Sequence, residues 1–176
     1  MNDFNKVIIR GKILNKYRTR NDHIILTIKT CKHNSPAVFF PKAVSADLAD
    51  SFECGQDVEI IGSLQSTKKD NFYSCGIFGT DIRAAENDDT RNYFELSGRI
   101  IKFESFNGLI KLMIESDTEH YSTVPVVFYN KKYEETLMSK TVGERLSIRG
   151  VVQTKRIIDL NSDKHFYVNF VGYSCA

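Results

Sequence analysis

Apolar and polar residues alternate along several short stretches of the chain, which is the pattern of β-strands with one buried face. The stretches in the first half fall at residues 7–14, 24–29, 36–40, 58–64 and 72–82. Between the third and the fourth of them, Val44, Leu48 and Phe52 recur at every fourth position, and Gly55 follows as a helix stop. The first half therefore predicts three strands, a short helix over about 42–52, and two more strands.

The second half of the chain repeats the first at an offset of 87 or 88 residues. The landmarks that recur in order are Gly11 with Gly98, Gly55 with Gly143, Gly62 with Gly150, and Gln65 with Gln153. The segment Pro36–Phe40 is also echoed by Pro125–Tyr129. The strands predicted by the repeat lie near 93–101, 109–115, 122–129, 144–153 and 165–173, with a helix near 131–139. Such a repeat indicates two copies of one folding unit.

The segment between the two copies, Ala84–Arg91, is polar and has no hydrophobic period, as domain boundaries usually are. We place the boundary at residue 87, which gives units 1–87 and 88–176. Three strands, a helix and two strands is the order of the OB-fold, a five-stranded Greek-key barrel that binds single strands on one face. The sequence therefore predicts an all-β chain of two tandem OB-fold barrels, with one short helix in each.

Three segments of the first unit resemble bacterial single-stranded DNA-binding proteins (SSBs). Asn5–Ile13 resembles the first strand of that family, Phe40–Ala49 its third strand and helix, and Gly55–Leu64 its fourth strand. The resemblance extends over residues 5–82 and, more faintly, over 93–173. It implies a non-enzymatic protein that coats single-stranded DNA without sequence preference in replication, recombination or repair. Because SSBs with two barrels per chain commonly work as dimers, it also implies a homodimer.

The chain departs from the SSB pattern in its aromatic residues, in one loop and at its end. It has no tryptophan, whereas the family typically stacks bases on tryptophans. The loop joining the second and third strands, Cys31–Ser35, is short where the family has a long flap. The last residues, Tyr173–Ala176, lack the glycine-rich linker and acidic tip by which the family recruits partners. We therefore expect no recruitment of replication proteins through a tail.

Cations and aromatic side chains, which bind phosphates and stack on bases, fall together in the predicted loops, next to outward cations of each first strand. In the first unit the candidates are Arg10, Lys12, Lys16, Tyr17, Arg18 and Arg20, followed by Lys68, Lys69, Phe72 and Tyr73. In the second unit they are Arg99, Phe103, Phe106, Lys155, Arg156 and Tyr167. The SSB resemblance adds Phe40 and Tyr129 as residues on which a base stacks, with Phe39 and Phe128 pointing into the core.

These candidates also have a plainer explanation. The cations can be ordinary solvated loop charge, and Phe72 can be a core residue at the start of its strand. Their recurrence at equivalent places in two units favours the functional interpretation.

The charge of the chain distinguishes the two units. The net charge of +2, from 24 basic and 22 acidic residues, requires any basic surface to be local. The first unit has 12 basic and 10 acidic residues and the second has 12 of each, so the first is predicted to be the main binder. Residues 156–164 extend the last hairpin of the second unit with apolar side chains, which predicts packing on a partner barrel or back on their own barrel.

An enzyme is disfavoured, because the chain has no glycine-rich phosphate loop and no nucleophile motif. Its four histidines and four cysteines show no metal-ligand spacing, so we expect no metal, no cofactor, and reduced structural cysteines. No apolar run approaches the roughly 18 residues that span a membrane, and the start lacks a signal-peptide pattern. We expect a soluble, cytoplasmic protein.

The alternative function is an OB-fold scaffold that contacts other replication proteins and binds nucleic acid weakly or not at all, since OB barrels host both roles. Single-stranded RNA stays open as a ligand, because contact with the 2′-hydroxyl is a matter of geometry.

Overall fold

The computed structural model describes residues 3–69, 72–86, 89–118, 122–129, 133–158 and 164–176. Within these ranges the strands are β1 Asn5–Arg18, β2 Ile24–Lys29, β3 Ala37–Phe40, β4 Asp57–Lys69, β5 Phe72–Ala84, β6 Arg91–Phe106, β7 Leu109–Ser116, β8 Ser122–Phe128, β9 Arg145–Ile158 and β10 Lys164–Cys175. Two short helices, α1 (Ala46–Asp50) and α2 (Glu134–Met138), precede β4 and β9. In this part of the chain no helix is long and apolar enough to cross a membrane.

Each half of the chain closes a five-stranded barrel. In the first half β1 pairs with both β2 and β4, and β2 pairs with β3. β5 pairs with β4 and, over a short parallel stretch, with β3, which closes the barrel. The second half repeats these pairings with β6 to β10. This is the strand order of the OB-fold, and the predicted all-β fold class is confirmed.

The repeated glycines of the first strands are explained by a close approach of the backbone. A Cβ atom at Gly11 would collide with the carbonyl of Lys29, and one at Gly98 would collide with the carbonyl of Glu115. At these points β1 and β6 each bend from one partner strand to the other. Only glycine allows the backbones to lie so close.

The first strand of each barrel is longer than the sequence predicts. β1 continues to Arg18 and β6 to Phe106, so most cations and aromatic residues expected in the following loops lie on extended strand ends. A β-bulge at Leu14 and another at Ile101 add to the bend of each strand and leave both side chains exposed.

The first helix is shorter than predicted, because the chain first makes a tight turn. The carbonyl of Pro41 accepts the backbone N–H groups of residues 44–46 before α1 begins. Gly55 follows α1 with a φ angle of 93° and donates its N–H to the carbonyl of Ile13 at 2.8 Å. Gly143 has the equivalent place after α2, with a φ angle of 100°. Glycine is therefore favoured after each helix because the backbone there has a positive φ angle.

An antiparallel pairing of β1 with β6 joins the two barrels into one ten-stranded sheet. Val7 lies opposite Phe94, and these two residues are 87 positions apart, which is the offset of the repeat. The pairing therefore relates the barrels by an approximate two-fold axis that passes between Val7 and Phe94. Buried side chains from both barrels belong to a single hydrophobic cluster. The predicted boundary at residue 87 lies between β5 and β6, outside the described residues.

Asparagine side chains bridge the backbone where β1 and β6 leave their ladders. The ladder of β1 with β4 ends at Gly62. Two residues further on, the Asn5 amide donates to the carbonyl of Leu64 at 2.7 Å and accepts its N–H at 2.8 Å. On the other side of the two-fold axis, Asn92 binds the carbonyl and N–H of Val152 at 2.7 and 3.0 Å. The amides thus replace the ladder where the strands diverge.

Candidate nucleic-acid interface

Four side chains form a row across the outer face of the first barrel. Tyr17 of β1 lies opposite Ile25 of β2, Ile25 opposite Phe39 of β3, and Phe39 opposite Phe78 of β5. Since neighbouring strands lie about 4.8 Å apart, the row spans about 14 Å. Tyr17 is 56% exposed and the other three are half-buried. We refer to these four residues as the aromatic row.

The rings of the aromatic row are held in place by their neighbours. Phe39 packs edge-on against Phe78, with ring centroids 5.0 Å apart, and against His23 at 4.9 Å. His23 is fixed in turn, because its Nδ1 accepts the backbone N–H of Lys42 at 3.0 Å. The row is thus a supported, partly exposed aromatic surface of the type on which bases stack.

The prediction that Phe40 stacks a base while Phe39 lies in the core is wrong. Phe40 is fully buried with its ring against Gly79, and Phe39 points outward. In the second barrel the corresponding predictions are right in burial: Phe128 is fully buried, and Tyr129, just beyond the end of β8, is 56% exposed.

The error at Phe40 comes from the register of the repeat. Matching Pro36 with Pro125 implies an offset of 89 residues. The strand pairing instead equates Val38, which lies opposite Ile77, with Val126, which lies opposite Phe170, an offset of 88. A slip of one residue exchanges the two faces of a strand, so the inward and outward phenylalanines were interchanged.

Several cations predicted on the first barrel have acidic partners. The ammonium group of Lys16 donates to the backbone carbonyl of Asp50 at 2.6 Å, and Arg18 donates to the carboxylate of the same residue at 2.6 Å. The Lys16 ammonium also lies 3.3 Å from the Asp50 carboxylate, and its hydrogen bond to that group lowers the pKa of the Asp50 carboxyl. Lys12 forms an ion pair with Asp57 at 2.9 Å. These contacts tie β1 to the end of α1 and the start of β4, and they balance much of the local positive charge.

Arg10 belongs to an ion-pair network around a buried carboxylate. The Nε atom of Arg10 donates to Glu59 at 2.8 Å, and that of Arg83 donates to the other oxygen of Glu59 at 3.0 Å. The hydrogen bond from Arg83, supported by that from Arg10, holds the pKa of Glu59 below its ordinary value although burial opposes this. Only 13% of the Arg10 side chain is exposed, so its contacts with Glu59 stabilise the barrel and leave little of it for a ligand.

Replacing Glu59 by glutamine should lower the free energy of unfolding by about 1–3 kcal/mol at pH 7, because two charge-assisted hydrogen bonds are weakened. The folded-state pKa of Glu59 is depressed, so its contribution is complete above the unfolded pKa of about 4.3 and is lost as the pH falls through the folded pKa. The difference between the variant and the wild type should therefore shrink in acid.

Denaturant unfolding at pH 7 and at about pH 3 measures this difference. Asp57→Asn is the matched control, because its ion pair with Lys12 is more exposed and should contribute only about 0–1 kcal/mol. Equal losses for Glu59→Gln and Asp57→Asn at pH 7 would show that the network around Glu59 does not stabilise the barrel.

Four further candidates lie on the β4–β5 hairpin of the first barrel. In the backbone register Lys68 pairs with Tyr73 and Lys69 with Phe72. Their side chains lie outside the described residues, and their contact with nucleic acid stays a prediction.

The last hairpin of the second barrel has the same arrangement. Lys155 pairs with Tyr167 and is exposed, and Arg156 pairs with Phe166. The side chains of Arg156 and Tyr167, and the tip of the apolar extension at 159–163, lie outside the described residues.

The second barrel has no aromatic residue at the four positions equivalent to the aromatic row, all of which are described. There Glu104 of β6 lies opposite Lys111 of β7, Lys111 opposite Val127 of β8, and Val127 opposite Val171 of β10. The ammonium group of Lys102 lowers the pKa of Glu104, which therefore carries a negative charge on this face. The outer faces of the two barrels therefore differ in chemistry: the first is aromatic, whereas the second is charged and aliphatic.

The candidate residues of β6 are spread along the strand. Arg99 is exposed and pairs with Glu115 in the backbone register. Phe103 is half-buried and packs against the core, whereas Phe106 is 73% exposed beside the hairpin turn at Asn107–Gly108. Arg20 of the first barrel is also exposed, and it has no ion pair with a described residue.

The cysteines differ in their exposure. Cys31 and Cys54 are exposed, and Cys75 and Cys175 are half-buried. Burial raises the pKa of Cys75 to about 11 and also raises that of Cys175. Among the described residues, no three His, Cys, Asp or Glu side chains lie close enough together to hold a metal ion.

Sequence reasoning missed Phe78 and His23 as parts of the site. In β5 the buried Ile77 lies between Gly76 and Phe78, and this alternation places Phe78 outward. Adjacency of the third and fifth strands in an OB barrel would then have brought Phe78 next to Phe39. No local signal places His23 there, because its position depends on the turn after Pro41.

The fold is similar to that of solved structures of the single-stranded DNA-binding protein from Thermus aquaticus. The wild-type protein aligns with 100% of this chain and 93% of its own, with a TM-score of 0.71 and 13% sequence identity. A deletion mutant of it aligns with 99% and 94%, with a TM-score of 0.71 and 14% identity. No family model and no curated protein matches the sequence. At this identity the likeness establishes a shared fold over nearly the whole chain.

Proposed function

We propose that this protein binds single-stranded DNA without base-sequence preference through the outer face of its first barrel. It acts as a non-enzymatic coating protein in replication, recombination or repair. The observation that carries the proposal is the aromatic row, a set of partly exposed rings on the barrel face that OB-folds use for single strands. The fold shared with the Thermus protein supports the same class of ligand.

The geometry of the row suits stacking rather than base recognition. Tyr17, Phe39 and Phe78 present aromatic surface, and every base has a π-face, so stacking is tolerant of sequence. Exposed cations lie at both ends of the neighbouring strand: Arg20 in the turn before β2 and Lys29 at its end. They can contact phosphates on either side of the stacked bases.

Titration of labelled oligothymidine into the full chain tests this function. We expect micromolar or tighter binding at low salt and equal affinity for mixed-sequence strands. Each phosphate contact on a single strand contributes about −0.7 to the slope of log K against log salt, so five to eight contacts give roughly −3 to −6. A flat salt response would contradict the proposal. Oligouridine titrated in parallel measures how far the surface accepts RNA.

A scaffold that contacts other replication proteins is the second candidate function, and the second barrel favours it. Where the first barrel has Lys16 and Asp50, the second has Phe103 and Met138 at the equivalent positions. Met138 and the nearby Val142 are 55% and 63% exposed. Such apolar exposure suits a protein contact. If this were the whole function, the titration would show no micromolar binding.

We also propose that the chain forms a homodimer that presents four barrels. The exposed apolar side chains of the second barrel support an interface between copies. Light scattering should then give twice the chain mass of 20.1 kDa. A single 20.1 kDa species at micromolar concentration would rule the dimer out.

A further inference from the structure

A groove of about 490 Å³ lies where the two barrels meet. One wall is the β2–β3 loop of the first barrel, with residues 30–34. The other walls are the start of β6, with residues 90–92, and residues 151–154 of β9. Its size is within the range of small-ligand sites.

The loop that forms the first wall is fixed to the second barrel. The Asn34 amide donates to the carbonyl of Val152 at 2.9 Å and accepts the backbone N–H of Thr154 at 2.8 Å. The backbone N–H of Ser35 donates to the hydroxyl of Thr154 at 3.1 Å. The groove is therefore built by contacts between the barrels and keeps its shape.

The chemistry of the groove suits an anionic ligand with an apolar part. None of its lining residues carries a carboxylate, while Arg91 is exposed and His33 and Gln153 are exposed beside it. Arg91 forms an ion pair with Asp89, whose side chain is 56% exposed and outside the lining. Val151 and Val152 add apolar surface on which a base or sugar can pack. Arg91 also lines a neighbouring groove, but there the carboxylates of Glu59 and Glu86 lie among the arginines, and a third groove includes Asp3.

The approximate two-fold axis relates the groove to a second place on the other side of the β1–β6 pairing. That second place contains carboxylates. The residues equivalent to Arg91 and Thr90 are Phe4 and Asp3, 87 positions earlier. The residue equivalent to Cys31 is Asp117, whose backbone N–H donates to Asp3 at 2.9 Å. The place beside Phe4 thus has no arginine equivalent to Arg91 and has the carboxylates of Asp3 and Asp117, of which Asp3 pairs with Arg145. Of these two related places, the one beside Arg91 is the better suited to phosphate.

The groove also continues the face that carries the aromatic row. From Ile25 in the row, β2 runs to Lys29, a distance of about 13 Å at about 3.3 Å per residue. The chain then enters the β2–β3 loop, where Lys32 is exposed. Exposed cations therefore mark a path from the row to the groove.

We infer that a single strand bound on the aromatic row continues along β2 into the groove between the barrels, where Arg91 binds a phosphate. This inference rests on the proposed function and adds a second subsite to it. Both barrels then build the site, although only the first supplies the stacking face.

The alkylation rates of the two exposed thiols measure whether bound DNA covers the groove. Cys31 lines the groove, whereas Cys54 is exposed on the segment after α1. Near neutral pH the half-buried thiols react slowly, because burial raises their pKa. Oligothymidine of about 20 nucleotides, longer than one OB barrel takes, should slow the alkylation of Cys31 at least several-fold and leave that of Cys54 unchanged. Peptide mass mapping separates the two sites.

A pair of variants gives an independent measurement. Arg91→Gln should make the salt slope of binding less negative by about 0.7, the value of one phosphate contact on a single strand. Arg149→Gln is the matched control, because Arg149 is also exposed and in one ion pair but lies outside the groove. It should leave the slope unchanged.

Binding that leaves the alkylation rate of Cys31 unchanged, or equal salt slopes for the two variants, overturns the subsite and leaves the proposed function standing. Absence of oligothymidine binding by the wild-type chain overturns both.

Discussion

Replacing Phe39 and Phe78 together by leucine should weaken oligothymidine binding by about 5- to 150-fold for each base that loses its stacking surface, since such stacking contributes about 1–3 kcal/mol. Leucine keeps an apolar side chain against His23 and the barrel but has no π-face. The salt slope should stay unchanged, because no phosphate contact is removed. Fluorescence titration at several salt concentrations measures both quantities.

The second barrel supplies the matched control for these substitutions. Val127 and Val171 lie opposite each other at the positions equivalent to Phe39 and Phe78. Val127→Leu together with Val171→Leu should leave the affinity within about twofold of wild type. Equal affinities for both double variants, each with an unchanged unfolding transition, would show that the aromatic row is not the stacking surface.

Removing the two asparagine amides at the barrel junction should cause the largest loss of stability. Asn5→Ala leaves the N–H of Leu64 without its side-chain acceptor, and Asn92→Ala does the same at Val152. Each unsatisfied buried donor costs about 1–3 kcal/mol, and independent sites add, so the double variant should lose about 2–6 kcal/mol. Denaturant unfolding measures the free energy.

Asn15→Ala is the control for the asparagine pair, because Asn15 lies on the same strand as Asn5 and is exposed. Its effect should stay within about 0.5 kcal/mol. A double variant as stable as this control would mean that the amides at Leu64 and Val152 do not hold the junction.

The strand order could be read from the sequence because it rests on local signals. Alternation marks the strands, and the recurring Gly11 and Gly98 mark the places where the first strands bend. The outward face of β3 could not be read in the same way. Its assignment depends on the SSB resemblance and on the match of Pro36 with Pro125, and a shift of a single residue exchanges Phe39 with Phe40.

The sequence could not predict which cations form ion pairs, because their acidic partners are distant in sequence. Lys16 and Asp50 are 34 residues apart, and Arg10 and Glu59 are 49 apart. A cation next to an aromatic residue in the sequence has the same pattern whether it is solvated, bound to phosphate or paired with an acid. The pairing with Asp50 and Glu59 follows from barrel closure, which brings β1 beside α1 and β4.

The charge and the apolar extension at 156–164 predict that the barrels are unequal in binding, and the structure adds a local difference between their outer faces. The first unit has only two fewer acidic residues than the second, which is a small difference in net charge. The aromatic row and the groove beside Arg91 are local features, and each has a counterpart in the repeat that lacks the required side chains. At the row, Val127 stands where Phe39 stands in the first barrel; at the groove, Phe4 stands where Arg91 does.

Photocrosslinking of oligothymidine that carries 5-iodouracil tests the central claim most directly, because it reports which residues touch the bases in the full chain. Crosslinked peptides are identified by mass after digestion. The account predicts crosslinks in the peptides that contain Tyr17, Phe39 or Phe78. Crosslinks confined to residues 91–176, or binding with no crosslink on the outer face of the first barrel, would contradict it.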